Sequence, residues 1–422
     1  MKAVGIIAEY NPLHNGHIYH IKQAKEIAGS DAAVIAMSGD FVQRGEPAIL
    51  DKWTRTRHAL LSGADLVIEI PVYYCLGNAG QYAFSGTRIL RSTGMVSHIA
   101  FGSESGDAEA LGRTALFLKE HEEEIAERVR FLRSSGLSYP AARSKVYSDL
   151  RGIYSNGCSG KDIQAELDIM SQPNDILGLE YMKYAGSMKP LPVRRLGAGY
   201  HDMVFNAISA CRDGTPEYLS ASAIREHARS GRGDPETGRD LLSDYVPACT
   251  AEDIKNGTLT FADDWIKAVR YACLSSAPDD LDDCPSGGEG LGNLLISASA
   301  DACTFDELIR TVKSRRYTYS RISRLCMQAV LGIRRSDYID ASPDYIRVLG
   351  MNDTGRKLLS EMKKEGSADV PVITNINKEH LPDGSRGTSL LRLDVHAADI
   401  YNLMTGRNVA ACSDHRMMPV II

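Results

Sequence analysis

Two histidines three residues apart, His14 and His17, flank Asn15-Gly16 just after the β-branched run Val4-Gly5-Ile6-Ile7. With a helix starting at Ile18, this spacing sets both imidazoles on one helical face, where the free N–H groups of a helix start attract an anion. Gly16 has no side chain and allows a nucleotide to approach closely, and imidazole N–H groups donate to phosphate oxygens. A His-x-x-His spacing also arises by chance or in metal sites; the strand-turn-helix setting selects the phosphate reading. Ser220-Ala221-Ser222-Ala223-Ile224-Arg225 has a similar capacity. Its Ser220 and Ser222 hydroxyls cap a helix whose start faces phosphate, and Arg225 stabilises charge on a transferring phosphorus. Read alone, it is more often a plain N-cap followed by a surface arginine.

The elements that hold these residues follow from periodicity. Short β-branched runs at Val4-Gly5-Ile6-Ile7, Ala33-Val34-Ile35-Ala36 and Leu66-Val67-Ile68-Glu69-Ile70 alternate with helical stretches, and His98-Ile99-Ala100-Phe101-Gly102 reads as a further strand. Such alternation predicts an α/β fold with a parallel sheet. Residues 107–170 read as a charged helical insertion, with Glu122-Glu123-Glu124 on a solvated face. Strand character returns at Leu191-Pro192-Val193-Arg194-Arg195-Leu196, and a helix begins after Ser222. Residues 230–239 and 276–292 are rich in Gly, Pro and Asp; the second reads as a mobile loop or linker. The expected division is 1–235 and 236–422, the latter mainly helical with a late strand at 369–374.

The bulk numbers agree with a globular protein of more than one domain: 422 residues, 43% hydrophobic and 24% charged. Glu9 interrupts the first apolar run, and no stretch is long enough to span a bilayer, so a cytoplasmic location is expected. Nine scattered cysteines contain no Cys-x-x-Cys pair and read as reduced and structural. The net charge of −6 argues against indiscriminate coating of nucleic acid. Residues 311–364 are the exception, with twelve Lys/Arg against five Asp/Glu, a net +7. Within them Lys313, Arg315, Arg316, Arg321 and Arg324 are candidate RNA contacts, with Tyr317 and Tyr319 as stacking rings; a solvated helix face is the alternative.

The run from Gly5 to His17 resembles the HxGH signature of the HIGH-motif nucleotidyltransferase superfamily, and Ser220 to Arg225 resembles its second signature. The likeness narrows further. Asn11 to His17, Ser38 to Ala48, Gly63 to Val67, Phe101 to Glu104, Gln172 to Gly178 and Gly197 to Asp202 resemble the bacterial tRNA(Met) cytidine acetate ligase family, covering most of residues 1–230. The C-terminal half matches more loosely, through Lys313 to Thr318, Arg321 and Arg324.

The resemblance implies a Rossmann-like nucleotidyltransferase core and a two-step reaction. Acetate attacks the α-phosphorus of ATP to give acetyl-adenylate and pyrophosphate; the acetyl group then passes to N4 of the wobble cytidine of elongator tRNA(Met). It also implies an ATP loop of Ile7, Ala8, Glu9, Tyr10, Asn11, Pro12, Leu13, His14, Asn15, Gly16, His17, Ile18, Tyr19 and His20, with Gly102, Asn174 and Arg195 as further contacts. A carboxylate attacking an anionic phosphate needs charge neutralisation and in-line positioning, which His14, His17, Arg195 and Arg225 supply. Magnesium is expected with ATP, yet no Asp cluster marks a metal site; Asp40 is a candidate, although a carboxylate in such a loop is more often a turn residue. Gln43-Arg44-Gly45 is a candidate for positioning acetate or the cytidine. Two rivals remain at this point: a small-molecule adenylyltransferase with the same two motifs, and a non-catalytic RNA-binding protein with a degenerate nucleotide fold.

Overall fold

The β-branched runs become strands β1 (Ala3–Ala8) and β2 (Ala32–Ser38), followed by the short pair β3 (Phe41–Val42) and β4 (Glu46–Pro47), then β5 (Leu66–Ile70), β6 (Val96–Ser103) and β7 (Lys189–Arg194). The computed structural model describes residues 1–137, 139–154, 160–195, 218–230 and 242–422. Residues 196–202, almost all of 230–239, Cys158 and Cys211 lie outside the described residues. The second half of the chain adds β8 (Ile346–Met351), β9 (Val372–Ile373) and β10 (Val420–Ile421).

One eight-stranded sheet has the order β10-β8-β5-β2-β1-β6-β7, with β9 also paired to β8. Strands β5, β2, β1, β6 and β7 are mutually parallel, as expected; β8 runs antiparallel to β5. Alternate residues of the central strands enter two cores, Ala3, Ile7, Val34 and Ala36 on one face and Val4, Ile6, Ile35 and Met37 on the other. Burial on both faces is why these strands read as continuous apolar runs. The chain leaves β1 toward β2 and β5, then returns to β6 and β7 on the other side. The carboxyl ends of β1 and β6 therefore form a topological switch point, where open α/β sheets bind ligands.

The insertion is helical as expected, with helices Ala108–Glu120, Glu122–Ser134, Tyr139–Tyr154 and Gly160–Ile169. Its charge run lies in the first turn of a helix, where carboxylates are favourable; Glu122 pairs with Lys183 and Glu124 with Arg128.

One sequence expectation needs correction. Residues 276–292 are not a free linker: they contain the helix Pro278–Asp282, bury Leu281 and Cys284, and are pinned by Asp282 Oδ1, which accepts from the N–H groups of Gly288 (3.1 Å) and Gly292 (2.8 Å). The second half is mainly helical, as expected, and its strands β8, β9 and β10 extend the sheet begun by β1.

Buried charges join the halves. Lys52 Nζ lies 2.8 Å from Glu69 and 2.7 Å from Asp414, while Arg347 lies 3.1 Å from Glu69 and 2.8 Å from Asp414, all four side chains being buried. The β3–β4 hairpin is held as closely. Gly45, at φ +86°, brings its backbone so near the helix Tyr319–Val330 that a Cβ would stand 2.2 Å from Arg324 N. Ser323 Oγ donates to Gly45 O at 2.7 Å. Among the described residues no helix is long and apolar enough to cross a membrane, and the seven described cysteines are free.

Candidate functional site

Helix α1 (Asn15–Ala28) starts at the end of the loop after β1, and its N-terminus is capped by imidazoles. Gly16 N–H donates to His14 Nδ1 at 3.1 Å, and His14 N–H donates to His17 Nδ1 at 3.3 Å. The two rings stack with centroids 3.8 Å apart. A neutral ring whose Nδ1 accepts must carry its proton on Nε2. This reciprocal cap therefore fixes both rings as Nε2–H donors. Burial, reinforced by Arg195, pushes His14 down to about 3, and burial with His14 and Arg195 holds His17 well below the usual imidazole value, so both rings are neutral. Gly16 is required for this stacking for a reason beyond ligand approach: a Cβ there would meet the His14 ring at 2.9 Å.

These residues open on a cleft of about 250 Å³ at the switch point between β1 and β6. Its wall includes residues 7–11, His14, Gly16, His17, Tyr19, His20, Gly102, Asn174, Arg195, Ser220 and Arg225, candidates drawn from five separate segments of the sequence. Pro12, Leu13, Asn15, Ile18 and Ser222 are not on the wall. Leu13 and Ile18 belong to the core, and Asn15 is tied by its Nδ2 to Asp244 O at 2.8 Å. Ser222 Oγ accepts from Arg225 Nη2 at 3.4 Å.

Ser220 Oγ accepts from Ala223 N at 3.2 Å, so the helix Ala221–Ser230 begins at the cleft, and Arg225 is aimed by its 2.8 Å donation to Asn11 O. Asn11 Oδ1 accepts from Ile49 N at 2.8 Å. Across the cleft, Glu104 holds the start of the helix Pro173–Tyr184 by accepting from Asn174 N (3.2 Å) and Asp175 N (3.0 Å), and Arg195 donates to Asn174 Oδ1 at 3.3 Å. Behind the loops, fully buried Arg55 donates to the carbonyls of Glu9 (2.6 Å), Ser38 (3.1 Å), Leu50 (2.9 Å) and Gly39. That one guanidinium fixes the turns after β1 and β2 together.

The described wall holds Arg194, Arg195 and Arg225 against one carboxylate, Glu9, and faces two helix starts, an arrangement suited to a polyanion. Among the described residues, buried Tyr10 Oη and His20 Nε2 have no protein partner. The sequence reading missed the apolar side: Tyr82, Phe101, Leu177 and Tyr181 line the cleft, as does Tyr218, which packs edge-on to Tyr19 at 6.2 Å. Gln43 reaches the wall as well; Arg44 does not.

The described residues do not build a magnesium site. Among the described residues no three His, Cys, Asp or Glu converge on a point, and Glu9 Oε1 already accepts from Gln43 N at 2.9 Å. Asp40 is off the cleft; it accepts from Lys52 N at 2.7 Å, and burial raises its carboxyl to about 7. Among the described residues, a magnesium ion in this cleft would be held by the phosphates it arrives with.

The basic segment is only partly free. Lys313 and Arg315 are exposed without ion pairs among the described residues, whereas Arg316 and Arg321 lie 3.2 and 3.0 Å from Glu289. Arg324 is largely enclosed and donates to Gln43 O at 3.4 Å; burial lowers its pKa to about 10. Tyr317 is not an available stacking ring. It is buried, and its hydroxyl donates to Glu289 O at 2.6 Å.

Parallel sheet, switch-point cleft and imidazole-capped helix start together define a nucleotidyltransferase of the HIGH type. The family model described as HIGH Nucleotidyl Transferase matches residues 1–415. Full-length relatives are the tRNA(Met) cytidine acetate ligases of Clostridium novyi, 36% identical, and Clostridium acetobutylicum, 35% identical, each match covering 100% of both chains. The same-named protein of Acetivibrio thermocellus is 34% identical over 95% of this chain and 94% of its own. Among solved structures, Thermotoga maritima TmcAL bound with alpha-thio ATP superposes with a TM-score of 0.84 at 30% identity, covering 100% of this chain and 99% of that one; its apo form gives 0.86, covering 100% of both. The chain belongs to the tRNA(Met) cytidine acetate ligase family of HIGH nucleotidyl transferases.

The neutral cap has a measurable signature. His14 at about 3 lies below the ~6.5 of an unfolded histidine, so the unfolded chain takes up the proton first. Its contribution is complete above pH 6.5 and is lost as pH falls toward 3. At pH 4.5, two units below the unfolded value, the loss from His14 alone should be on the order of 3 kcal/mol. His14→Asn keeps a capping acceptor without a titrating group. Denaturant midpoints at pH 7 and pH 4.5, without nucleotide, should therefore differ less for the variant than for the wild type; an equal difference would show that His14 is not the group concerned.

Proposed function

We propose that the protein binds ATP in this cleft, activates acetate as acetyl-adenylate and acetylates N4 of the wobble cytidine of elongator tRNA(Met). The observation that carries the reading is the pair of neutral imidazoles locked as Nε2–H donors over a helix start, in one cleft with Arg195 and Arg225. It is further supported by the full-length relatives named tRNA(Met) cytidine acetate ligase and by the TmcAL structure bound with alpha-thio ATP.

In the first step an acetate oxygen attacks the α-phosphorus in line with the bond to pyrophosphate, which leaves. Both reactants are anionic, so the site must lower their repulsion and hold the line of attack. His14 and His17 donate to phosphate oxygens, the starts of α1 and of the helix Ala221–Ser230 add partial positive charge, and Arg195 and Arg225 neutralise the rest. In the second step the cytidine N4 attacks the acetyl carbonyl, loses a proton, and AMP leaves. The apolar wall of Tyr82, Phe101, Leu177 and Tyr181 excludes water that would hydrolyse the adenylate. Magnesium, carried by the nucleotide, supplies charge neutralisation on the phosphates; the protein's own groups orient them.

The deciding measurement is mass spectrometry of nucleosides from unmodified elongator tRNA(Met) incubated with the protein, ATP, magnesium and isotope-labelled acetate. Labelled N4-acetylcytidine is the expected product. Acetate-dependent pyrophosphate without labelled RNA would keep the first step and overturn the acceptor; neither product would overturn the reading.

A further inference from the structure

The helix Pro173–Tyr184 has two working sides. Asn174, Leu177 and Tyr181 line the nucleotide cleft, while Leu179, Glu180 and Lys183 line a groove of about 310 Å³ in the helical insertion. The floor of that groove is apolar, with Ala115, Leu118, Ile125 and Val129. Its rim is basic: Lys119, Arg130, Arg133, Arg143 and Lys183 against Glu122 and Glu180. Glu122 is already paired with Lys183. Lys119, Arg133 and Arg143 have no ion pair among the described residues, and Arg130 makes only a bond to its own helix, at 3.3 Å to Ala126 O.

Arg133 also lines a second cleft, in which the end of the helix Glu122–Ser134 faces Arg315 and Arg316 across Ser134, Gly136 and Leu137. Glu289, the acid on that cleft, is engaged by Arg316 and Arg321. The insertion and the basic segment, far apart in sequence, thus share one surface. Its cations number seven against three carboxylates, in a protein whose net charge is −6. Unpaired arginines gathered on a protein of opposite overall charge fit a polyanionic partner.

We infer that the helical insertion is half of an RNA-binding groove, in which Arg130, Arg133 and Arg143 contact the phosphates of the strand leading to the acetylated base and Arg315 contacts them from the other wall. This rests on the function proposed above, and it names which surface holds the RNA. The geometry is compatible with reach. The twelve-residue helix Pro173–Tyr184, shared by groove and cleft, is about 18 Å long, so a base in the cleft puts its neighbouring phosphates within a few nucleotides of the groove.

The test uses the full chain and unmodified elongator tRNA(Met). Arg130→Gln, Arg133→Gln and Arg143→Gln are combined, and the dissociation constant is measured from 50 to 300 mM salt beside N4-acetylcytidine formation. Removing one arginine–phosphate pair lowers the slope of log affinity against log salt by about 0.7–0.9, so the triple variant should fall by about 2 in slope and weaken binding at least about tenfold at 100 mM salt. Arg133→Gln alone, at an exposed position that cannot threaten the fold, should fall by about 1. Wild-type affinity and slope in both variants, with acetylation by the wild type intact, would overturn the groove while leaving the reaction standing. A wild type that neither binds nor acetylates this tRNA would overturn the proposed function itself.

Discussion

Replacing His17 by Ala should lower acetate-dependent pyrophosphate release by about 10²–10³-fold, the loss typical of removing one fixed donor to developing negative charge. The residue has two separable tasks. Its ring lines the cleft with Nε2–H left to donate, and its Nδ1 accepts from His14 N to complete the cap of α1. Loss of the cap alone costs roughly 1 kcal/mol of stability and little else. His17→Gln separates the two, because glutamine at the third position of a helix restores a capping box. The Gln variant should recover the unfolding midpoint lost in the Ala variant and remain far below wild type in rate. Wild-type pyrophosphate release from His17→Ala would take the motif out of the mechanism.

The second large effect is on stability. Asp414→Ala leaves Lys52 and Arg347 buried with only Glu69 between them, and stranding a buried charge costs about 3–5 kcal/mol. Removing opposite partners together is different. Lys52→Met with Asp414→Leu leaves the Arg347–Glu69 pair intact, and apolar replacement of a buried ion pair is often close to neutral. Denaturant unfolding should therefore show the double variant to be more stable than Asp414→Ala. If the double variant were the less stable of the two, the cluster would be holding the halves together by more than charge balance.

Both predictions mark where the sequence was legible. The cleft could be anticipated because its polar residues sit in short segments whose types carry a mechanism: two imidazoles at a helix start, serines before an arginine, a glycine after a strand. The apolar wall could not, because Tyr82, Phe101, Leu177 and Tyr181 look like any core residue until the sheet brings their elements together. β8 was hidden for another reason. Arg347 interrupts its apolar run, and the charge is tolerated there only because Glu69 and Asp414 arrive from distant segments. Residues 276–292 were misread on composition: Asp282 and the glycines that mark a loop are engaged with one another, and Leu281 and Cys284 anchor them. Tyr317, offered as a stacking ring, is buried with its hydroxyl bonded to Glu289 O, a contact its sequence neighbours give no sign of.

The antiparallel seam between residues 66–70 and 346–351 bears on how this enzyme can be taken apart. A fragment ending before β8 would keep every residue of the cleft wall yet expose the hydrogen-bonding edge of β5, a strand fully buried in the whole molecule. Unprotected apolar edges recruit other strands. Such a fragment should aggregate, and its silence in an assay would say nothing about which substrate the missing half serves. During synthesis the same seam leaves β5 without its neighbour until the late strands emerge, which gives the nascent chain an interval in which it depends on being shielded.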